Sequence, residues 1–564
     1  MFLVNGQFPG PVLEIDQDDW VEITVVNKSP YNSSIHYHGI EQIRSPWADG
    51  VPGLTQRPIQ PGASYTTKWH ADQYGSYFYH AHSRGQIDDG CYGAIVIKPK
   101  AGLAKPFDKI SSAEVELLAA AEAKVQPIIV SDWRHLTSFD SWDLQVASGL
   151  ETGVCVDSVI LNGKGAVDCW PREDIDANTS PIVKPLLAQG NWTITDKGCL
   201  PADMFVFLVG GNGETDTSVI PPSVFDVCSP TQGSRETITA SPQDKWLALD
   251  IISTAGVDTF AFSIDEHPLW VYAVDGHYIE PTQVDALTVV NGDRFSIFVQ
   301  LNKQAKNYGI RVASVALAQM IDTTAVLSYG GNVTSSNGTG PGIVHTTPSI
   351  TRAGLPVTSD VRFFDPISMV AFPPEFPQPA PEADQTFITT LETIGNSYSW
   401  ALNGTLFNHA IEDTKPPLLW DLDPSIEDLH GLGTNITIVT KNNTWVDLVF
   451  HVATLNQPPH PIHKHSNKGF IIGQGTGAFN WTSVAEAAAE VPGSFNLVNP
   501  PYRDAFATPV TTTEEAWLAV RYHVINPGPF MLHCHIQNHF NGGMAMVILD
   551  GVDEWPHVPD EFKN

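Results

Sequence analysis

Residues 533–544 read HCHIQNHFNGGM, and this stretch decides how the rest of the chain is interpreted. It places a cysteine between two histidines and adds a third histidine and a methionine: His533, Cys534, His535, His539 and Met544. His460 lies upstream in PPHPIHKH (458–465). Two imidazoles, one thiolate and a weak axial methionine form the trigonal ligand set of blue-copper sites. We predict such a site from His460, Cys534 and His539, with Met544 as the axial ligand.

Four His-x-His triplets occur, two in the first 100 residues and two in the last 110: His36/His38, His80/His82, His463/His465 and His533/His535. Random placement of 20 histidines predicts ~0.7 such triplets. Side chains two apart on a strand share a face, so each triplet offers two imidazoles to one site, while Cys534 points away from its neighbours. A single triplet is more often chance or a hydrogen-bonded core pair. Eight imidazoles indicate a cluster of several ions, and the set does not divide into closed four-ligand zinc sites.

The composition indicates a folded, acidic, all-β protein. The 564 residues include 30 Lys+Arg and 62 Asp+Glu, a formal net charge of −32. This charge excludes nucleic-acid binding and argues against docking on an anionic membrane surface. Only 16% of residues are charged and 42% are hydrophobic, which is not the composition of a disordered acidic tail. The 44 glycines and 43 prolines punctuate alternating segments such as DWVEITVVN (19–27), as in turn-rich β proteins.

Three strand-rich blocks predict three sequential β-sandwich domains. The predicted parts are residues 1–100 for the first sandwich, 101–124 for a helical connector, 125–340 for the second sandwich, 341–382 for a Pro-rich linker and 383–564 for the third sandwich. Ser111 and Glu114 have capping-box spacing before an Ala/Leu run, which predicts one short helix in the connector. The middle block has no His-Cys-His segment, so we expect no copper there.

Several features favour a secreted chain without a transmembrane helix. No apolar run of about 18 residues occurs. The chain carries ten Asn-x-Ser/Thr sequons: Asn27, Asn32, Asn178, Asn191, Asn332, Asn337, Asn403, Asn435, Asn442 and Asn480. Sequons are used only in secretory chains, so we expect N-glycans and a signal segment that was removed or not included. There are six cysteines. With Cys534 as a ligand, five remain, which allows at most two disulfides and one free thiol.

The sequence resembles the multicopper oxidases, and within them the fungal laccases and laccase-like enzymes. The matching segments are HYHGI, YGSYFYHAH, HPIHKHSNKGF and HCHIQNHFNGGM, with flanking matches in NGQFPGP, WADG, QPGASYT and VNGDRF. The resemblance implies three cupredoxin-like Greek-key sandwiches and four copper ions, with O2 as co-substrate. It assigns the blue, type 1 copper as above and the type 2 copper to His36 and His463. It assigns the type 3 pair to His38, His80 and His535 on one side and to His82, His465 and His533 on the other.

The resemblance also implies roles for residues that bind no metal. Asp49 in WADG matches a carboxylate that supplies protons near the trinuclear cluster, although an Asp-Gly pair is also an ordinary turn. Asp157 matches an acid that accepts a phenol's proton, with a plain loop residue as the alternative. A Cys91–Cys155 bridge is implied as well, and the pairing of Cys169, Cys199 and Cys228 stays open. Met544 stands where many laccases have Leu or Phe, which predicts a lower copper potential.

The expected activity is oxidation of phenolic or related aromatic donors by a monomer, with electrons entering at His460. Two alternatives stay open. One is a ferroxidase or bilirubin-oxidase-like enzyme, which Met544 slightly favours and for which Glu412 and Asp413 are candidate Fe(II) carboxylates. The other is a copper electron carrier without oxygen chemistry. The four His-x-His triplets argue against the carrier, because a carrier needs only the blue site.

Overall fold

The computed structural model describes residues 1–209, 213–241, 243–330, 346–372, 378–421 and 432–563. The sequons at Asn332 and Asn337, the predicted boundary at 340 and the linker segments 341–345 and 373–377 lie outside these residues. The chain divides into two compact units. Unit 1 comprises Met1–Leu103, Asp275–His277 and Pro366–Asn564, and unit 2 comprises Ala104–Val274 and Tyr278–Asp365.

The first part of unit 1 is a small two-sheet sandwich. Its strands are β1 (Leu13–Asp16), β2 (Trp20–Val26), β3 (Ile35–His38), β4 (Ser64–His70), β5 (Gly75–Ala81) and β6 (Tyr92–Lys98). One sheet has the order β1-β6-β5-β3, and β2 pairs with β4. Side chains of β2 alternate between solvent and a core that contains Tyr37 and Trp69, as expected for a half-buried strand.

Unit 2 contains a sandwich of six- and five-stranded sheets together with short helices. Its strands are β7 (Gln126–Trp133), β8 (Ser158–Leu161), β9 (Thr237–Thr239), β10 (Trp246–Ser253), β11 (Phe260–Ile264), β12 (Leu269–Val274), β13 (His277–Val284), β14 (Leu287–Val289), β15 (Arg294–Gln300), β16 (Asn307–Ser314) and β17 (Asp322–Ser328). The helices are α1 (Val115–Glu122), α2 (Ser138–Ser148), α3 (Arg172–Asn178), α4 (Val183–Gly190), α5 (Ala202–Val209) and α6 (Pro222–Phe225). The sheet orders are β13-β12-β15-β10-β7-β8 and β14-β11-β16-β17-β9.

The remainder of unit 1 is a third sandwich. Its strands are β18 (Gln385–Thr393), β19 (Trp400–Leu402), β20 (Thr437–Val439), β21 (Trp445–Val452), β22 (Pro461–Lys464), β23 (Gly469–Thr476), β24 (Tyr502–Arg503), β25 (Ala505–Ala507), β26 (Ala516–His523), β27 (Gly528–Cys534) and β28 (Ala545–Asp550). The helices are α7 (Ile411–Thr414), α8 (Leu418–Asp421), α9 (Val484–Glu490) and α10 (Gln537–Asn541). The sheet orders are β19-β18-β21-β26-β23-β24 and β20-β28-β27-β22-β25. Three successive pairs of sheets confirm the all-β prediction.

The disulfides differ from the bridge that the resemblance implied. Cys155 bonds to Cys199 and Cys169 bonds to Cys228, so the expected Cys91–Cys155 bridge is wrong. A sulfur forms one disulfide, and Cys199 lies within 6.1 Å of Cys155 between their Cα atoms. Cys91 is a free buried thiol whose pKa is raised to about 12 by burial. The expectation of at most two bridges and one odd thiol besides Cys534 agrees with this arrangement.

The predicted helix after residue 101 forms as α1, but without a capping box. Glu114 is itself the N-cap, and no side chain caps the first turn. The Glu114 carboxylate accepts a hydrogen bond from Trp246 Nε1 at 3.0 Å instead, because α1 packs on β10. The Glu114 side chain, which the local pattern assigned to the helix cap, therefore makes a tertiary contact instead. None of the helices in the described part of the chain combines the length and the hydropathy of a membrane-spanning segment.

Candidate metal centre

Eight histidines of unit 1 converge on one buried region. His36 and His38 lie on β3, while the other triplets end β5, β22 and β27 and continue one residue beyond them. All eight side chains are at most 3% exposed. Strand pairing aligns the triplets: His36 lies opposite His80 across β3 and β5, and His463 lies opposite His533 across β22 and β27. The first sandwich thus provides four imidazoles and the third provides four.

The ring nitrogens approach one another in sets that match metal-ligand spacing. His533 Nε2 lies 3.3 Å from His465 Nε2 and 3.5 Å from His82 Nε2, so one triad faces a common centre. His36 Nε2 and His463 Nε2 are 3.4 Å apart. These are the residues that the resemblance assigned to one side of the type 3 pair and to the type 2 copper.

The remaining three histidines, His38, His80 and His535, form a looser group. Their ring centroids are separated by 4.9 Å (His38–His535), 5.3 Å (His80–His535) and 5.8 Å (His38–His80). Nε2 of His80 and both ring nitrogens of His535 are buried without a hydrogen-bond partner among the described residues. Buried polar atoms without partners are costly, and a bound metal ion would satisfy them.

Hydrogen bonds on the outer side of the rings orient the imidazoles. His36 Nδ1 donates to Asp49 O at 2.7 Å, and His463 Nδ1 donates to Asp504 O at 2.9 Å. The Nδ1 atoms of His80 and His533 likewise donate to backbone carbonyls. A carbonyl only accepts, so the hydrogen lies on Nδ1 and the lone pair lies on Nε2, toward the centre. Such outer hydrogen bonds are typical of metal-ligating histidines.

Burial favours the neutral form of six of the eight imidazoles. Desolvation lowers the pKa of His533 to about 4, and neighbouring His36 contributes. The pKa is lowered well below its ordinary value, first by burial and then by neighbouring imidazoles, in His80, His82, His463, His465 and His535. Neutral imidazole is the form that binds metal ions. The donor set therefore fits a cluster of copper ions.

A second cluster lies beside the first and contains the cysteine. Cys534 Sγ is 3.6 Å from His539 Nδ1 and 3.9 Å from His460 Nδ1, and the two nitrogens are 3.1 Å apart. Met544 is buried, and its backbone N–H donates to His539 O while its carbonyl accepts from Cys534 N–H. One thiolate and two imidazoles in this arrangement fit a copper ion. Cys534 serves this cluster while its neighbours, His533 and His535, belong to the other.

An indole covers the cysteine-containing cluster. The Trp400 ring lies 4.2 Å from the ring of His539 and 4.9 Å from that of His460, between centroids. His460 is fully buried, and its Nε2 has no hydrogen-bond partner among the described residues. A donor molecule therefore does not touch His460 from solvent in this conformation. Electron entry at this residue stays a prediction.

The two predicted acids have different surroundings. The Asp49 carboxylate is fully buried, 3.1 Å from His465 Nδ1 and 3.3 Å from His36 Nδ1. Gly50 follows at φ +84°, where a Cβ would lie 1.9 Å from Ile35 O, so only glycine fits this turn. Asp49 is thus held directly against two candidate copper ligands.

Asp157 lies in unit 2, where its carboxylate is already engaged. It pairs with Lys197 Nζ at 2.8 Å and accepts the backbone N–H of His135 at 2.7 Å. These contacts are those of a structural carboxylate. Its role toward a phenol stays a prediction.

Two neighbours of the clusters were not found from the sequence. Asp504 Oδ1 lies 3.3 Å from His38 Nε2, and His409 lies behind α10 with Glu412. In the sequence, Asp504 could have been found from the adjacent charges Arg503 and Asp504 in the otherwise apolar segment YRDAF (502–506). Charged side chains that are buried need partners. Glu412 is buried, and Asp413 accepts a hydrogen bond from Asn32.

Comparisons with known proteins agree with the resemblance found in the sequence. Family models described as multicopper oxidase match residues 1–102, 124–332 and 413–554. The chain is 40% identical to multicopper oxidase elcG of Phaeosphaeria nodorum, covering 100% of this chain and 89% of the relative. It is 40% identical to laccase abr2 of Aspergillus fumigatus, over 99% of this chain and 92% of the relative. Laccase-1 of Emericella nidulans is 36% identical, over 98% and 93%.

Solved structures give the same fold. A laccase from Botrytis aclada matches with TM-score 0.69 and 26% identity, over 99% of this chain and 85% of that one. Fet3p, a multicopper oxidase that functions in iron import, matches with TM-score 0.68 and 19% identity, over 99% and 89%. These matches confirm the expected cupredoxin-like sandwiches.

Proposed function

Because this chain belongs to the multicopper oxidase family, we propose that it is a laccase-like oxidase of phenolic or related aromatic donors. Four one-electron oxidations of the donor are coupled to the four-electron reduction of O2 to water. The observation that carries the proposal is the tripeptide His533-Cys534-His535, which joins a thiolate cluster to an eight-histidine cluster. An electron carrier has no use for the second cluster.

The residues divide into holders of four copper ions and groups that orient them. His460, Cys534 and His539, together with Met544, would hold the type 1 ion. His36 and His463 would hold the type 2 ion, and the type 3 pair would be held by His38, His80 and His535 with His82, His465 and His533. Bound copper supplies one-electron oxidation of the donor and reduction of O2.

The protein's own groups supply orientation, protons and exclusion of water. The Asp49 carboxylate accepts a hydrogen bond from His465 Nδ1, and the backbone oxygen of Asp49 accepts one from His36 Nδ1, so Asp49 is our candidate for moving protons. Burial of all eight imidazoles keeps bulk water away from the oxygen chemistry, which limits loss of partly reduced oxygen. The buried Trp400 ring packs against His460 and His539.

The phenolic substrate class is supported by two relatives that are named laccases, abr2 and laccase-1. The ferroxidase alternative gains no support from Glu412, whose carboxylate is buried against His409. We therefore keep phenols as the proposed donors.

We also propose that the chain is a secreted glycoprotein and a monomer. The two disulfides form stably only in an oxidising compartment. Exposed sequons at Asn191, Asn435 and Asn480 are the proposed acceptors. Asn27 is a poor acceptor, because its amide is buried and donates to the carbonyls of Tyr31 and Ile59 at 2.7 Å each.

The test is oxygen uptake by copper-loaded protein with a catechol- or syringol-type phenol as the only donor. Catalase is added at the end of the run. We expect uptake without return of oxygen, which means reduction to water. Return of oxygen would contradict the eight-histidine assignment, and uptake only with Fe(II) or bilirubin would contradict the phenolic one. The exposed variant Asp196→Asn in unit 2 serves as the control for mutational effects.

A further inference from the structure

A buried acid–histidine pair lies behind the ligand segment and has no part in the proposed function. Glu412 Oε1 is 2.5 Å from His409 Nδ1, and His409 Nε2 is 2.8 Å from Phe540 O. The side chains of His409 and Glu412 are 6% and 8% exposed. Both belong to the segment around α7, far in sequence from Phe540.

The two contacts of His409 determine how many protons the pair holds. Phe540 O is a carbonyl oxygen and only accepts, so His409 Nε2 carries a hydrogen. The contact between His409 Nδ1 and Glu412 Oε1 also needs a hydrogen, because two lone pairs that close in a buried site would repel. The pair therefore holds two hydrogens, one more than a neutral imidazole beside an ionised carboxylate. It carries one shared proton and no net charge.

The pair is attached to the segment that bears the type 1 ligands. Phe540 lies in α10 next to His539, and its ring packs against His533 and His82 with centroid distances of 4.8 and 5.4 Å. A second tie joins the same segments, since Phe407 N–H donates to Gly543 O at 2.9 Å. Two hydrogen bonds therefore join segment 407–412 to the ligand segment 539–544.

We propose that His409 and Glu412 are positioning residues whose two hydrogen bonds fix Phe540 and the ligand segment His539–Met544 against both clusters, and that the bond between them holds one shared buried proton. The inference rests on the proposed function only for the identity of the metal. It places neither residue on the path of substrate or protons. It also accounts for the burial of Glu412, which the sequence analysis named as a candidate Fe(II) carboxylate.

Three variants separate the hydrogen bonds from the proton. In Glu412→Gln, the amide N–H donates to Nδ1 of a neutral imidazole and Nε2–H still donates to Phe540 O, so both bonds survive without the shared proton. The double variant His409→Phe/Glu412→Leu removes both bonds without stranding a buried carboxylate, which His409→Phe alone would do. The exposed carboxylate variant Glu490→Gln, in the same sandwich, is the matched control.

The first readout is copper retention by the loaded full-length protein against bathocuproine disulfonate, a Cu(I) chelator. We expect the double variant to retain copper about 10- to 100-fold less tightly, as for other outer partners of metal ligands. We expect Glu412→Gln and Glu490→Gln to stay within about twofold of the unchanged chain. Unchanged retention in the double variant overturns the proposal. So does loss in Glu412→Gln as large as in the double variant, since its geometry is preserved.

The second readout is the protonation of the His409 ring. In the fully reduced, copper-loaded protein, which is diamagnetic, ¹⁵N-histidine NMR should show His409 with both ring nitrogens protonated, and this signal should vanish in Glu412→Gln. Absence of the signal in the unchanged chain overturns the shared proton. Neither readout needs turnover, so a protein that binds copper but oxidises no phenol would contradict the proposed function and leave this test intact.

Discussion

The two clusters of unit 1 differ in where their ligands come from. The cysteine-containing cluster takes His460, Cys534, His539 and Met544 from one sandwich, within 85 residues of sequence. The eight-histidine cluster takes four ligands from residues 36–82 and four from residues 463–535. The first cluster needs one folded domain, whereas the second forms only when two sandwiches pack together. The clusters should therefore be separable by mutation, although Cys534 connects them covalently.

The largest expected effect comes from Cys534→Ser. The hydroxyl is a poor copper ligand compared with a thiolate, so the blue absorption and oxidation of phenols should fall to background. The eight-histidine cluster should keep its copper, because none of its ligands changes. Metal analysis and visible absorption measure the two effects on one sample. Loss of all copper would show that the clusters are not separable.

Acidification should act mainly through the eight-histidine cluster. Six of its imidazoles have lowered pKa values. In the cysteine-containing cluster, the pKa of His460 is also lowered. The unfolded chain takes up protons below about pH 6.5 while the folded chain does not, so copper-free protein loses stability as pH falls from about 6.5 toward 4. Each histidine contributes at most about 1.4 kcal/mol per pH unit.

Thermal and urea unfolding of copper-free and copper-loaded protein at pH 7, 6 and 5 measures this dependence. The copper-loaded protein should hold its copper at pH 7 and release it on acidification, because protons compete for the same nitrogens. A free energy of unfolding of the copper-free protein that is constant from pH 7 to 5 would contradict the neutral buried imidazoles.

Asp49→Asn should damage the eight-histidine cluster alone. The change keeps the size of the side chain but removes the charge that faces His465 and His36. We expect about a 10- to 100-fold loss in activity or in copper affinity at this cluster, with the blue absorption kept. Asp196→Asn, with a side chain that is 81% exposed, should have no effect. An equal loss of blue absorption in Asp49→Asn would show that this change does not act on the eight-histidine cluster alone.

Met544→Leu should give the smallest effect and should touch only the cysteine-containing cluster. Removing a weak axial sulfur ligand raises the copper potential. We expect a rise of about 59 mV, which corresponds to a tenfold change in a one-electron equilibrium. Redox titration of the blue absorption measures it, and copper content should stay unchanged. A potential that does not move would exclude Met544 as a ligand.

The sequence was most informative where the ligands follow strand periodicity. Alternation along a strand explains why each His-x-His triplet serves one region and why Cys534 serves another. The all-β class also followed from the local sequence pattern. The limit of two disulfides and one odd thiol followed from the number of cysteines once Cys534 is set aside as a ligand. The Cys91–Cys155 pairing failed, because a disulfide depends on which two Cα atoms the fold brings within about 6 Å. The capping box at Ser111 and Glu114 failed because Trp246 supplied a tertiary partner.

The sequence by itself determined the residue types of the candidate ligands, their order and the copper chemistry that they favour, since these depend on residue identity and on spacing within single strands. Tertiary structure decided which imidazoles face one another, which carboxylates lie behind them and which histidine holds a shared proton. His36 and His463 are 427 residues apart in sequence, and their nitrogens are 3.4 Å apart in space. No local pattern encodes such a contact, because it arises from the packing of two sandwiches whose buried faces contain mostly ordinary apolar residues.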